Sequence, residues 1–219
     1  MTNLPRLYVD SADVARVSEL LTAGLVSGVT TNPTILERGG RRIADIPELY
    51  ALWVHEGANE VFFQTWGTTA AEMLENAERL IALGDRVVVK VPATKDGFTV
   101  TRALTDRNVP VLVTAVYSVA QALAGAAYGA RYLAPYFGRL GDNGLDALTV
   151  ISQMQEVCEG SQTDVLAASL RTAEDIVSLR LAGVRYFTAA PDVILATLQD
   201  DISESSAADF EAAVHRISP

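Results

Sequence analysis

The amino-acid sequence predicts a single (β/α)₈ TIM barrel carrying a C-terminal helix, and three observations point there. Eight short apolar runs, often β-branched, recur along the 219 positions. Helical patterns follow the runs, so that strand and helix alternate. Polar residues stand at or near the carboxyl ends of seven runs. Near-continuous apolar strands separated by helical segments are the pattern of parallel strands buried on both faces. A doubly wound open sheet shares that pattern but would spread the polar residues along one edge. A closed barrel brings the carboxyl ends of all its strands to one mouth, where seven side chains can touch one small ligand.

In chain order the runs are LYVD at 7–10, GVTTN at 28–32, VFFQT at 61–65 and VVVKVP at 87–92. VLVTAV at 111–116, YLAPYF at 132–137, DVLAAS at 164–169 and YFTAA at 186–190 complete the set. Between them, segments such as TTAAEMLENAERLIALG and SVAQALAGAAYGAR have helical composition. Ser11-Ala-Asp-Val and Thr172-Ala-Glu-Asp place hydroxyl and acidic residues where helix N-termini prefer them, which fixes the phase of strand and helix. The tail predicts a helix over about 207–217. No Pro/Gly/Ser-rich linker divides the chain, so residues 1–219 read as one domain. Arg38-Gly-Gly-Arg-Arg reads as a solvated basic loop.

Composition narrows the function. With 49% hydrophobic and 20% charged residues, the chain can bury a large core and is not disordered. Its net charge of −10 disfavours nucleic acid and anionic membranes as partners. No apolar run reaches the ~18 residues of a membrane span. The single Cys158 cannot form an internal disulfide, and the start MTNLPRLYVD lacks a secretory layout, so a cytoplasmic protein is expected. His55 and His215 are the only histidines. That scarcity argues against His-dependent nucleophile systems and zinc sites; no metal is expected, nor any organic cofactor if Lys90 forms a covalent Schiff base.

Of the 17 basic residues only Lys90 and Lys95 are lysine. Lys90 lies mid-strand in VVVKVP, where its side chain is short of water whichever way it points. Desolvation disfavours the ammonium, and a neutral amine attacks carbonyls to form an iminium, which a guanidinium cannot do. The alternative is a buried lysine paired with a carboxylate such as Asp10. Lys95, beside Asp96-Gly97, reads as a loop residue. Aldol cleavage through an iminium needs a base, an acid and donors for substrate hydroxyls, and Asp10, Asn32, Gln64, Thr114 and Tyr136 offer that set. Alone, each is a weak signal: a strand threonine reflects β-propensity, and an apolar-strand tyrosine is usually core.

The segments LYVDSAD, GVTTNP, VVVKVP, TAVYS, APYFGR and AASLRT, spanning Leu7 to Thr172, resemble the signature segments of the transaldolase family. The likeness is strongest to its small branch, similar to fructose-6-phosphate aldolase. The resemblance implies a (β/α)₈ barrel with Lys90 as the Schiff-base lysine and Asp10 orienting substrate hydroxyls. It places Asn32, with Thr30 and Thr31, against the dihydroxyacetone portion. Transaldolases usually carry Glu at the position of Gln64 and Phe at that of Tyr136; this chain has the aldolase pair. In that reading Tyr136 is the acid/base, acting through a water held by Gln64 and Thr114. Thr65-Trp66-Gly67 departs from the small residues usual after the glutamine, and Trp66 is expected near the mouth, where it would reshape the acceptor pocket.

Arg139, Ser169 and Arg171 match the family's phosphate-binding positions, and two guanidiniums with a hydroxyl make a bidentate anion clamp. A sulfonate would satisfy the same clamp. The expected activity is reversible cleavage of fructose 6-phosphate or a related ketose phosphate to dihydroxyacetone and glyceraldehyde 3-phosphate. The alternatives are a transaldolase passing dihydroxyacetone between sugar phosphates, a sulfofructose substrate, and a non-catalytic sugar-phosphate binder. The resemblance also implies a homo-oligomer, a pentamer or decamer, with the C-terminal helix on a neighbour.

Overall fold

The computed structural model describes residues 4–218; residues 1–3 and 219 of the span read as one domain lie outside the described residues. Eight parallel strands close into a barrel in sequence order. They are β1 Arg6–Asp10, β2 Gly28–Thr30, β3 Glu60–Gln64, β4 Val87–Pro92, β5 Val111–Val116, β6 Tyr132–Pro135, β7 Asp164–Leu170 and β8 Tyr186–Ala189. Among the described residues the helices begin with α1 Val14–Thr22, α2 Pro33–Arg38, α3 Ile46–His55, α4 Ala70–Ile81 and α5 Lys95–Thr105. They continue with α6 Val119–Ala127, α7 Phe137–Asp142, α8 Ala147–Cys158, α9 Ala173–Leu181, α10 Pro191–Ala196 and α11 Asp201–Ile217. The pairing of β1 with β8, Tyr8 opposite Thr188, closes the barrel and excludes the open sheet. Among the described residues no helix is long and apolar enough to cross a membrane.

Local chemistry sets the element ends. β2 stops at Thr30, short of the expected Asn32, because the Asn32 side chain accepts the Ile35 N–H at 2.9 Å and Pro33 opens α2. Asp13 caps α1, with Ser11 Oγ accepting the Asp13 N–H at 3.1 Å. Thr172 caps α9 in a reciprocal box with Asp175. The C-terminal helix begins at Asp201, earlier than about 207, because the Asp200 carboxylate accepts the Ser203 N–H at 2.9 Å. None of the α11 residues is buried.

The period-two alternation of the strands sorts their side chains. Tyr8, Phe62, Val88, Leu112, Tyr132 and Leu166 fill the barrel interior. Val9, Val61, Val89, Val113 and Val165 face the helices in the outer core. At the amino end of the barrel, Glu60 accepts hydroxyl bonds from Tyr8 at 2.5 Å and Tyr132 at 3.0 Å. The interior-facing positions nearer the carboxyl ends are Asp10, Thr30, Gln64, Lys90, Thr114 and Thr188.

Two strands break the alternation at the mouth. Strict alternation would turn Val116 and Leu170 inward, like Leu112 and Leu166 before them, yet both pack in the outer core. The register of β5 shifts between Thr114 and Val116, and that of β7 between Ala167 and Leu170. Ala115 and Ser169 absorb the extra residue at φ 57 and φ 59. Such bulges re-aim side chains next to functional sites.

Candidate active site

At the carboxyl ends of the strands lies a cavity of about 450 Å³, within the range of about 300–1,000 Å³ usual for small-molecule sites. Asp10, Asn32, Gln64 and Lys90 line one part of it, and Thr114, Tyr136, Arg139 and Ser169 another. These eight expected site residues come from seven strands and the segments that follow them.

Lys90 occupies an inward position on β4, directly opposite Gln64 on β3. It is 4% exposed. Burial holds its amine well below the ordinary lysine range, and the negative charge of Asp10 pulls the other way. The Asp10 carboxylate is occupied elsewhere: its Oδ1 accepts the Thr30 hydroxyl at 2.6 Å. The Thr30 oxygen in turn lies 2.6 Å from Thr188 Oγ1. Thr30 therefore sits behind Asp10 and outside the cavity lining. Thr31 also lies in the wall, its hydroxyl donating to the Phe62 carbonyl at 3.0 Å.

Tyr136 follows β6 directly and places its hydroxyl 3.0 Å from Thr114 Oγ1. Burial raises its phenol above the ordinary range, the Thr114 hydrogen bond opposes that rise, and Asp10 and Arg139 act in opposite senses. The Arg139 guanidinium stands 5.0 Å from the Tyr136 ring centroid and donates to Tyr117 Oη at 3.5 Å. Tyr117 meets the Tyr136 ring edge-on at 5.8 Å. A cation and a phenol are thus held together at the cavity wall.

Arg171 does not line the cavity. Both its terminal nitrogens bond Asp142, at 2.9 and 2.5 Å. The guanidinium also lies against Gly138, where an added Cβ would come within 2.8 Å of Arg171 Nε. It clips α7 onto the end of β7. Trp66 likewise stands away from the cavity: it lines an outer hollow with Ile43, Ile46 and Leu80, and its carbonyl accepts from Asn76 Nδ2 at 2.8 Å. The expectation that Trp66 shapes the pocket is therefore corrected; Thr65 Oγ1 donates to the Met73 carbonyl at 2.6 Å and ties the segment to α4.

Sequence reasoning missed Arg38 and Thr188. Arg38 ends α2 and lines the cavity beside Ile35 instead of lying in a solvated loop. The signal was present: a helix opened by Asn32 and Pro33 puts positions 35 and 38 on one face. Thr188 shares the inward face of β8 with Tyr186, which period-two alternation alone indicates. Cys158 is buried on α8, and burial pushes its thiol up to about 11.

A family model described as Transaldolase/Fructose-6-phosphate aldolase matches residues 7–218. A "Probable transaldolase" of Cereibacter sphaeroides is 36% identical over 209 residues, covering 94% of each chain. Another from Phenylobacterium zucineum is 35% identical over 210 residues, covering 94% of this chain and 95% of that one. Among solved structures, a thiamine phosphate pyrophosphorylase from Pyrococcus furiosus superposes with a TM-score of 0.61 at 18% identity, covering 89% of this chain and 93% of the other. A mandelate oxidase gives 0.63 at 16% identity, covering 88% and 65%. At such identities these structures share the fold alone.

Proposed function

Because the chain belongs to the transaldolase/fructose-6-phosphate aldolase family and is an enzyme of the aldolase or transaldolase type, we propose that it cleaves a ketose phosphate of the fructose 6-phosphate kind through a Schiff base on Lys90. The observation that carries this reading is a desolvated lysine in the cavity with its amine held below the ordinary range.

In this reading the neutral Lys90 amine attacks the C2 carbonyl, and the carbinolamine loses water to give the iminium. Tyr136, with Thr114 and Gln64 around a water, supplies and recovers the proton for that step. Asp10 accepts the C4 hydroxyl proton as the C3–C4 bond breaks. The bonding electrons pass into the iminium, leaving the dihydroxyacetone enamine and glyceraldehyde 3-phosphate. Protonation and hydrolysis of the enamine release dihydroxyacetone. Asn32 takes the dihydroxyacetone hydroxyl, while Arg139 and Ser169 take the anion, with Arg38 adding positive charge on the opposite rim. We give Thr30 a supporting place behind Asp10 and Thr31 one in the wall. Lys90 provides the electron sink, so the reaction needs no metal or organic cofactor. The exposed α11, with Phe210 71% exposed, is assigned to a homo-oligomeric contact, in a pentamer or decamer.

A second reading, transfer of dihydroxyacetone to an aldose phosphate, is favoured by the relatives described as probable transaldolases. Both readings share every step up to the enamine. We favour release because Gln64 is a neutral amide and Tyr136 a phenol that can move the proton. Product analysis with fructose 6-phosphate, with and without erythrose 4-phosphate, separates them. Free dihydroxyacetone in both cases supports the aldolase reading. Turnover that requires erythrose 4-phosphate supports the transaldolase.

A further inference from the structure

We propose that Thr188 is a positioning residue that commits Asp10 to act as a hydrogen-bond acceptor and base; this deepens the Schiff-base reading of the same site and rests on it. β1 lies between β8 and β2 in the closed barrel. Thr188 on β8 and Thr30 on β2 therefore flank the strand that ends in Asp10. Both threonines are buried, at 2% and 0% exposure, so water cannot substitute for either hydroxyl. Their oxygens lie 2.6 Å apart, and Thr30 Oγ1 lies 2.6 Å from Asp10 Oδ1.

The direction of this chain follows from donor inventory. A carboxylate only accepts, and each hydroxyl owns one proton. Thr30 spends its proton on Asp10, so toward Thr188 it can only accept, and Thr188 must donate. The relay runs Thr188 to Thr30 to Asp10. Each bond polarises the next in a site of low dielectric. Both protons of the relay therefore point toward the Asp10 carboxylate. The relay also engages Oδ1 from behind, leaving Oδ2 for the substrate. Asp10 then meets the C4 hydroxyl as an acceptor, and the acid work falls to Tyr136 on the other wall. Thr188 touches no substrate in this account; it acts through Thr30.

The test compares Thr188→Val, which keeps the shape and removes the donor, with Thr188→Ser, which restores a hydroxyl. Loss of a hydrogen bond feeding a charged group corresponds to a fall of roughly tenfold in kcat. The expected result is such a fall in kcat for Thr188→Val, with KM nearly unchanged. Thr188→Ser should recover most of kcat, at a Tm no higher than that of the valine variant. Wild-type kcat in Thr188→Val would overturn the proposal. So would Thr188→Ser behaving as badly as Thr188→Val, because then only packing is at stake. Borohydride trapping of dihydroxyacetone on Lys90 should persist in Thr188→Val. Absence of trapping in the wild-type protein would instead bring down the Schiff-base reading itself, together with this proposal.

Discussion

Lys90 is defined by two opposed influences, burial that disfavours its charge and the Asp10 carboxylate that favours it. The amine is nucleophilic only when neutral, so the acid limb for iminium formation lies below the ordinary lysine value of about 10.4. Removing the Asp10 charge leaves burial unopposed. For Asp10→Asn, the acid limb of dihydroxyacetone trapping on Lys90 should therefore move to lower pH, and an upward move contradicts the electrostatic account. Stability carries the same sign. The unfolded chain binds a proton at Lys90 up to about pH 10.4, whereas the folded protein gives it up earlier, so in that window stability rises with pH. Lys90→Met should accordingly be more stable than wild type at pH 7, by about 0.5–2 kcal/mol, with the advantage shrinking as the pH approaches about 10.4 in urea titrations. Lys90 was legible from the sequence because a lysine in an apolar strand is conspicuous where arginine is the habitual cation. Thr188 was not, since a threonine in a strand is ordinary and its partner Thr30 lies 158 residues away.

Elements place these residues by contacts that local propensity does not foresee. Thr94 caps α5, its Oγ1 accepting the Gly97 N–H at 3.0 Å. Propensity alone would make Gly97→Ala stabilising by about 1 kcal/mol. A Cβ at that position, however, would stand 1.9 Å from the Pro92 carbonyl at the end of the strand bearing Lys90. We therefore expect Gly97→Ala to destabilise by about 1–3 kcal/mol in denaturant unfolding, and a gain would mean that α5 can slide freely. Similar reasoning applies to α7. Arg139 faces the cavity while Arg171 is held by Asp142. Arg139→Ala should raise KM for fructose 6-phosphate about tenfold or more, the cost of a charge-assisted pair, and leave that for dihydroxyacetone alone. Arg171→Ala should mainly lower Tm; the reverse pattern in steady-state kinetics would show that Arg171 leaves Asp142 to bind the anion. Strand positions were legible because apolar runs report burial. The bulges at Ala115 and Ser169 were not, because register depends on the neighbouring strand.

The closed barrel brings these elements to one mouth. β1 to β8 pair in order and return to β1, so side chains from seven units meet in one cavity although the sequence separates Asp10 from Ser169 by most of the chain. Fold class was legible because strand number and the polar carboxyl ends together select closure over an open sheet. The depth of each residue was not, which is why Thr30, Thr31 and Arg171 were expected in the lining and lie behind or beside it. Lys95 provides an internal control for the chemistry: it is the other lysine of the chain, at the start of α5 and exposed. The direct test is borohydride reduction in the presence of dihydroxyacetone or fructose 6-phosphate, followed by peptide mass analysis of the wild type and of Lys90→Arg. Reduction of an iminium should fix the dihydroxyacetone carbon skeleton on the peptide containing Lys90, at stoichiometry approaching one per chain, and Lys90→Arg should lose both adduct and turnover while keeping its fold. An adduct confined to Lys95, or full turnover by Lys90→Arg, would contradict the account.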